Sequence, residues 1–521
     1  MIQRPSRSRV VPLLPKVHEA LQRRLVPRPN RPESRSTGNE DFVVTDKLMV
    51  PRGLDSAKLK NQEESQYFGF YRDTTSASLT GYFISDIFSQ LVPQLFHQNT
   101  CVEQAVLAIA ALNKCVQARS EKATRPFSLE ALEDRRQQVV KHYNFAIEHY
   151  AKSIQVMKVQ VEPSNSKHSV QNILIFCLLS ALFESYHGRP DLCAMQIRQG
   201  IRVFVNWLKG RPDAGPLALA GVRSPAPEIV HDEVVHALAR TDRQMMSSSA
   251  AESPWRFKTA EYEALAEMPT FFSTIQEARA FWEVIERMMI RAQSANPPKD
   301  TENRFTLRPF CRSDEFSPED TTRIVGLVHQ WYNALQRVLL SSNPQDVPAF
   351  IAVIVLALRV KLMGIVFANI FMPSEMIYDE SHNEYREICS WAKIALEAAL
   401  VGNSKTVDAS SFGKGFTGIL AIVAITCRHR CIRAEALDTA ASCPKIPGLL
   451  GWENDMLLSV ARWVRAKEEL GLQDDCRIVP EQSRIRIYNV TFSLSKRSGI
   501  LVYSLWSPAD EEEFLSRVVD W

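Results

Sequence analysis

Glycine is scarce in this 521-residue chain, 19 against 28 prolines, which argues against a strand-and-turn-rich sandwich and for helices joined by proline-bearing connections. An excess of one charge is also missing. Lys and Arg number 62 against 59 Asp and Glu, a formal +3, so the chain as a whole is no polycation wrapped round nucleic acid, and electrostatic work must be local. No cysteine precedes Cys101, no Cys-x2-Cys pair occurs, and the ten cysteines are scattered through mostly apolar segments. That pattern predicts reduced, packed thiols in an intracellular protein. The amino end lacks an apolar run of signal-peptide length, and the most apolar stretch, Phe350–Phe371, carries Arg359 and Lys361 near its middle. The expectation is a chain that neither exports nor spans a membrane. The sequon Asn489-Val490-Thr491 then reads as ordinary surface strand.

Catalytic signatures are equally thin. There is no Gly-x-Ser-x-Gly and no Gly-x-Gly-x-x-Gly on a strand-helix unit, so a hydrolase elbow and a dinucleotide site lack support. Gly402-Asn-Ser-Lys405-Thr406 resembles the end of a phosphate loop but lacks its glycines and follows a helix. The histidines of His231-Asp-Glu-Val-Val-His236 are five apart and face different ways on a helix. His142 and His149 share a face but lie two turns apart, with no third ligand nearby. Cys427, Cys431 and Cys443 lack a fourth ligand and read as buried thiols. Glu184, within an apolar run, is expected to take a structural hydrogen bond from a donor such as Arg198. No residue is assigned a catalytic, metal or cofactor role.

What is present is helical periodicity. Val102, Val106, Ile109, Leu112 and Val116 recur at three- and four-residue steps, as one buried helix face requires. Thr100 and Glu103 in front of them read as a capping box. Val139 to Met157 repeats the pattern; Val170–Tyr186 is apolar on nearly every side, and Leu192–Leu208 follows. Further helices are expected over Ile275–Ala292, Thr322–Leu340, Pro348–Ala368, Tyr385–Ala399, Gly415–Ala440 and Gly451–Glu469. Strand alternation is convincing only late, around Val490-x-Phe492 and Leu501-x-Tyr503, with a phase slip between Ile487 and Val490 that marks a bulge or a break.

The expected organisation is all-α: a disordered basic arm over 1–65, a helical body over 66–475 with loops near 211–228 and 245–254, a terminal β-hairpin over 476–507 and an acidic-aromatic tail over 508–521. In the arm, Arg23, Arg24, Arg28 and Arg31 form a candidate nuclear-import or phosphate contact. In the tail, Phe514, Leu515, Val518 and Trp521 would line one helix face behind acids, either as an activation or partner face or docked on the body.

Several stretches together resemble the fungal-specific regulatory domain of zinc binuclear cluster transcription factors. They are Phe68-Gly-Phe-Tyr-Arg72 through Phe83, Gln90-Leu-Val-Pro-Gln-Leu-Phe-His97, Ala105–Leu112, Tyr143-Asn-Phe-Ala-Ile147, the helix pair Leu174–Val203, Pro269–Ser273, Ala424–Ala436, Gly451–Asp455 and Val479–Arg486. The resemblance spans about 68–506 and implies an all-helical regulatory body in a nuclear regulator of a metabolic or secondary-metabolite pathway. Its partners would be other transcription factors or coactivators, in a homo- or heterodimer, with no membrane. The family reads DNA through an amino-terminal six-cysteine zinc cluster, and no cysteine here precedes Cys101. Zinc is therefore expected only if such a cluster exists outside this sequence. The chain is then either a clusterless co-regulator or a fragment of a zinc-cluster factor that touches DNA through that cluster. The competing readings are a helical enzyme or an adaptor binding an apolar small molecule. The enzyme lacks an Asp-Asp-x-x-Asp metal motif, since Cys476 follows Asp474-Asp475, and no helical-repeat period is visible.

Overall fold

The computed structural model describes residues 61–521 apart from 77–78, 80–86, 121–128, 161–168, 249–252, 294–303, 308–315, 344–345, 373, 402–408, 444–448, 474–475, 494–495 and 506–512. The body is helical. Helices α1 (Gln62–Phe70) and α2 (Val92–Phe96) lead into α3 (Thr100–Ser120), α4 (Leu129–Gln160), α5 (Ser169–His187) and α6 (Pro190–Lys209). α3 packs on α4 and α5, and α5 on α6. The start of α3 differs from the expected capping box: the Asn99 side chain, one residue earlier, accepts from the Cys101 amide at 2.9 Å. Asparagine caps as well as threonine. Nor does α3 bury a single face; Gln104 to Asn113 are all buried, because α1, α4 and α5 surround it.

The connector after α6 holds a short helix, α7 (Pro216–Leu219), then α8 (Asp232–Ser248) and α9 (Lys258–Ala266). The loop expected from 245 is thus helical as far as Ser248, with Met245 buried. Four helices follow: α10 (Ile275–Gln293), α11 (Pro318–Ser341), α12 (Val347–Asn369) and α13 (His382–Val401). A true capping box opens α11, where Ser317 and Asp320 exchange side-chain to backbone bonds. Periodicity alone starts this helix four residues late, because the first turn is polar. α5 and α12 are each long and apolar enough to cross a membrane by composition. Within the fold α12 is a core helix, whose Arg359 and Lys361 are neutralised by Glu286 and Glu387.

The helix expected over Gly415–Ala440 is two helices, α14 (Ala409–Thr426) and α15 (Arg430–Ser442). The break falls where His429 bridges Ile478 and the Val479 amide bonds the Arg428 carbonyl at 3.0 Å. A distant segment takes backbone groups that a continuous helix would use. The last helix, α16 (Leu449–Glu468), lies against α14.

Four antiparallel strands close the fold in the order β1 (Arg304–Thr306), β2 (Ile485–Ser493), β3 (Ser498–Leu505), β4 (Phe514–Asp520). The expected hairpin is β2–β3, and its phase slip is a bulge between Ile487 and Asn489. Asn489 of the sequon is buried rather than on the surface. One hydrophobic core runs from Tyr67 to Val519 and joins the sheet to the helices.

Candidate partner surface

The sheet is held to the helical body by arginines. Arg428, in the break between α14 and α15, donates to the Ile485 carbonyl and to Glu375, both at 3.1 Å. Glu468 at the end of α16 accepts from the Ile485 amide at 2.8 Å and from Arg433 at 2.6 Å. Arg484 donates to Asp379 at 2.7 Å and to the Val479 carbonyl at 3.0 Å. The first residue of β2 is therefore gripped at both backbone groups. On the same side, Tyr503 meets Trp463 edge-on at 5.0 Å, and Trp521 meets Phe492 at 6.4 Å.

The tail expected as a helix is a strand. β4 pairs with β3 along its length, Ile500 facing Val518 and Ser504 facing Phe514. Strand periodicity then splits the candidate quartet. Leu515 and Trp521 pack on the core with buried Val519, whereas Phe514 and Val518 point outward at 50% and 61% exposure beside Ile500 at 50%. Phe514 rests edge-on against Tyr488 at 5.1 Å. The β-branched pair Val518-Val519 and the hydrogen-bonding edge of β3 outweigh the amphipathic helix pattern. The result is an apolar outward strip of Ile500, Phe514 and Val518 on a strand that ends the sheet among the described residues, a surface suited to a protein partner. The candidates Arg23, Arg24, Arg28 and Arg31 lie outside the described residues, as do Lys405 and Thr406.

The other constellations resolve into packing. His142 bonds the Tyr67 hydroxyl at 2.7 Å, and His149 bonds Gln104 at 2.8 Å, so the two rings serve different contacts. His236 donates through Nε2 to the Val222 carbonyl at 2.7 Å. Glu184 is buried, but its donor is Tyr150 at 2.9 Å; Arg198 instead donates to the Ala194 carbonyl. Burial pushes the thiols of Cys101, Cys177 and Cys193 up to about 12, and those of Cys427 and Cys443 up to about 11, which disfavours the thiolate that a metal or an electrophile needs; Cys431, expected to be buried with them, is exposed. Among the described residues no group of three His, Cys, Asp or Glu could hold a metal ion. Gly413-Lys-Gly415-Phe-Thr-Gly418 has dinucleotide-loop spacing but lies within α14. There Gly415 lets the helix approach Val355, whose Cγ1 would stand 2.5 Å from an added Cβ.

Buried ionic groups on α8 to α12 were not legible in the sequence. Arg287 and Arg291 both pair with Glu261, and Ser253 donates to Asp242 at 2.6 Å. Burial raises the Asp242 carboxyl to about 6, against the opposing pull of Ser253, Arg287, Arg291 and Arg198. An unfolded Asp titrates near ~3.9, so the native state holds an extra proton between the two values and stability falls as pH rises through that window. Asp242→Asn keeps an acceptor for Ser253. It is expected to raise the thermal midpoint at pH 7.5 by about 3–6 °C and to change it little below pH 4. An equal shift at both pH values would remove this account of Asp242.

Comparison with known proteins bears on the amino-terminal half of the helical body. Residues 66–238, from α1 into α8, match the model of the fungal-specific transcription factor domain. No curated protein and no solved structure matches the chain. The later stretches that carried the resemblance, from Ala424 to the hairpin, lie outside the matched residues. A domain of this kind belongs to transcription regulation and suggests a nuclear protein. Residues 66–238 are similar to a fungal-specific transcription factor domain, and that match supports a transcription regulator of the fungal type.

Proposed function

We propose that this regulator acts in the nucleus on genes of a metabolic or secondary-metabolite pathway, with its helical body as an effector- or partner-sensing scaffold. It contacts DNA through a partner transcription factor, or through a zinc cluster outside this sequence. The observation that carries the reading is the domain match over 66–238. The outward strip of Ile500, Phe514 and Val518 supports a docking role for the terminal sheet toward a coactivator or a dimer partner, and the basic arm supports import.

Two experiments test it. The full chain tethered to a neutral DNA-binding module is expected to change reporter output. Phe514→Ser with Val518→Glu should abolish most of that change, about tenfold or more if the strip is the central contact, while leaving the thermal midpoint within about 2 °C. An unchanged reporter with the doubly substituted chain removes the strip as the partner face. Replacing Arg23, Arg24, Arg28 and Arg31 by Ala should leave a fluorescent fusion in the cytosol, and an undiminished nuclear signal would remove the arm as the import segment.

A further inference from the structure

Three helices bring four arginines to one place. α8 supplies Arg240 and Arg243 one turn apart, α12 supplies Arg359, and α10 supplies Arg279 together with Glu283 and Glu286 on the same stripe. Arg243 donates to Glu283 at 2.6 Å and to Glu286 at 3.3 Å, Arg359 donates to Glu286 at 2.6 Å, and Arg279 lies 3.6 Å from Glu283. Arg240 is half-buried, its buried Nε has no hydrogen-bond partner, and its charge acts on the same Glu283. Two carboxylates thus stand at the centre of four guanidiniums. Glu233 and Glu453 act on Arg240 and Arg243 through the field.

The electrostatics agree with this geometry. Burial works against ionisation of Glu283, yet Arg243, Arg279, Arg359 and Arg240 together hold its carboxyl down at about 2. Burial, then Arg240, with further contributions from Arg243 and Arg359, pull Arg279 well below the ordinary guanidinium range despite Glu283. Arginine does not shed its proton in proteins, and an anion beside the cluster would lower the cost of keeping these guanidiniums charged. The cluster is also reachable: the Arg359 side chain is 37% exposed and that of Arg279 16%. The arginines at the sheet are less accessible: Arg428, Arg433 and Arg484 hydrogen-bond Glu375, Glu468 and Asp379, and their side chains are at most 2% exposed.

We propose that Arg240, Arg279 and Arg359, backed by Arg243, form a binding site for one small doubly charged oxyanion, a phosphate monoester or a dicarboxylate. Guanidinium forks match such oxygens in paired hydrogen bonds. The ligand would tie α8, α10 and α12 together, and α8 is where the matched domain ends. The site supplies an effector for the sensing role proposed above, but its test is read on the purified full chain. A failed titration overturns the site alone, and a failed reporter overturns the role alone.

Isothermal titration with inorganic phosphate, and separately with succinate, at an ionic strength fixed by sodium chloride is expected to show saturable binding of one anion per chain in at least one series. Saturation by phosphate alone assigns the phosphate class, and by succinate alone the dicarboxylate class. Arg240→Gln should weaken binding about tenfold or more, while the ligand-free thermal midpoint stays level or rises by about 1–2 °C as one of the crowded guanidiniums is lost. Arg359→Gln should weaken binding similarly, and Arg211→Gln, in the exposed pair with Asp213, should not. Absence of saturable binding in both series, or undiminished affinity with Arg240→Gln, overturns the proposal.

Discussion

Glu468→Ala is expected to lower the thermal midpoint by about 10 °C, the largest loss from any single charge in the fold. Glu468 and Arg433 are fully buried and Arg428 nearly so. One carboxylate oxygen accepts from Arg433 and the other from the Ile485 amide, while the Arg428 Nε lies 3.5 Å away. Alanine leaves the strand amide and one arm of the Arg433 guanidinium without their acceptor and removes the carboxylate charge beside Arg428. Breaking one side of a buried ion pair costs about 3–5 kcal/mol, because the remaining charge stays desolvated. Glu468→Gln retains an acceptor for Ile485 and is expected to lose less. The sheet should be the first part to open, so limited proteolysis of Glu468→Ala at low denaturant should cut near β2 before it cuts α3. A midpoint within 2 °C of the parent chain, by circular dichroism, would show that the network contributes no net stability.

Gly221→Ala is expected to cost about 2–5 kcal/mol, from two separable causes. Gly221 has φ +77°, a region where a side chain costs about 1–2 kcal/mol. An added Cβ would also stand 2.4 Å from Cζ2 and 2.8 Å from Cη2 of Trp255. That ring cannot retreat easily. Trp255 is fully buried, donates to the Leu219 carbonyl at 2.7 Å and carries the Arg287 guanidinium over its face at 4.9 Å. Gly471 supplies the control, since it has φ +78° with open space where its Cβ would go. Gly471→Ala should therefore lose only the conformational part. Equal destabilisation of the two variants in urea titrations would remove the contact with Trp255 as a cause.

Much of the helical body was legible because periodicity reports burial directly. Ile275–Ala292 and Gly451–Glu469 differ from the observed α10 and α16 by at most two residues at either end, where helix limits are least defined. The bulge at the phase slip in β2 was legible for the same reason, since one extra residue inverts a period of two. Losses occurred where a distant segment decides. Nothing near Cys427 marks a helix break, since the break is made by Ile478 and Val479 fifty residues on. In β4 the spacing of Phe514, Leu515, Val518 and Trp521 satisfies an amphipathic helix, and only the open edge of β3 turns them into a strand. Of that candidate face, Phe514 and Val518 point outward, while Leu515 and Trp521 belong to the core.

The sequence by itself determined the all-helical class, the two antiparallel strands after α16, the apolar surroundings of most cysteines and the resemblance that the match over 66–238 supports. These properties are written in local spacing and composition, which the chain carries into every conformation. Only the tertiary structure decided which charges meet. Arg484 finds Asp379 across 105 residues, and Arg359 finds Glu286 across 73. No period encodes such pairs, because an ion pair depends on where two helices cross rather than on what either helix is. The anchoring of the sheet by Glu468 and the gathering of four arginines round Glu283 both follow from those crossings.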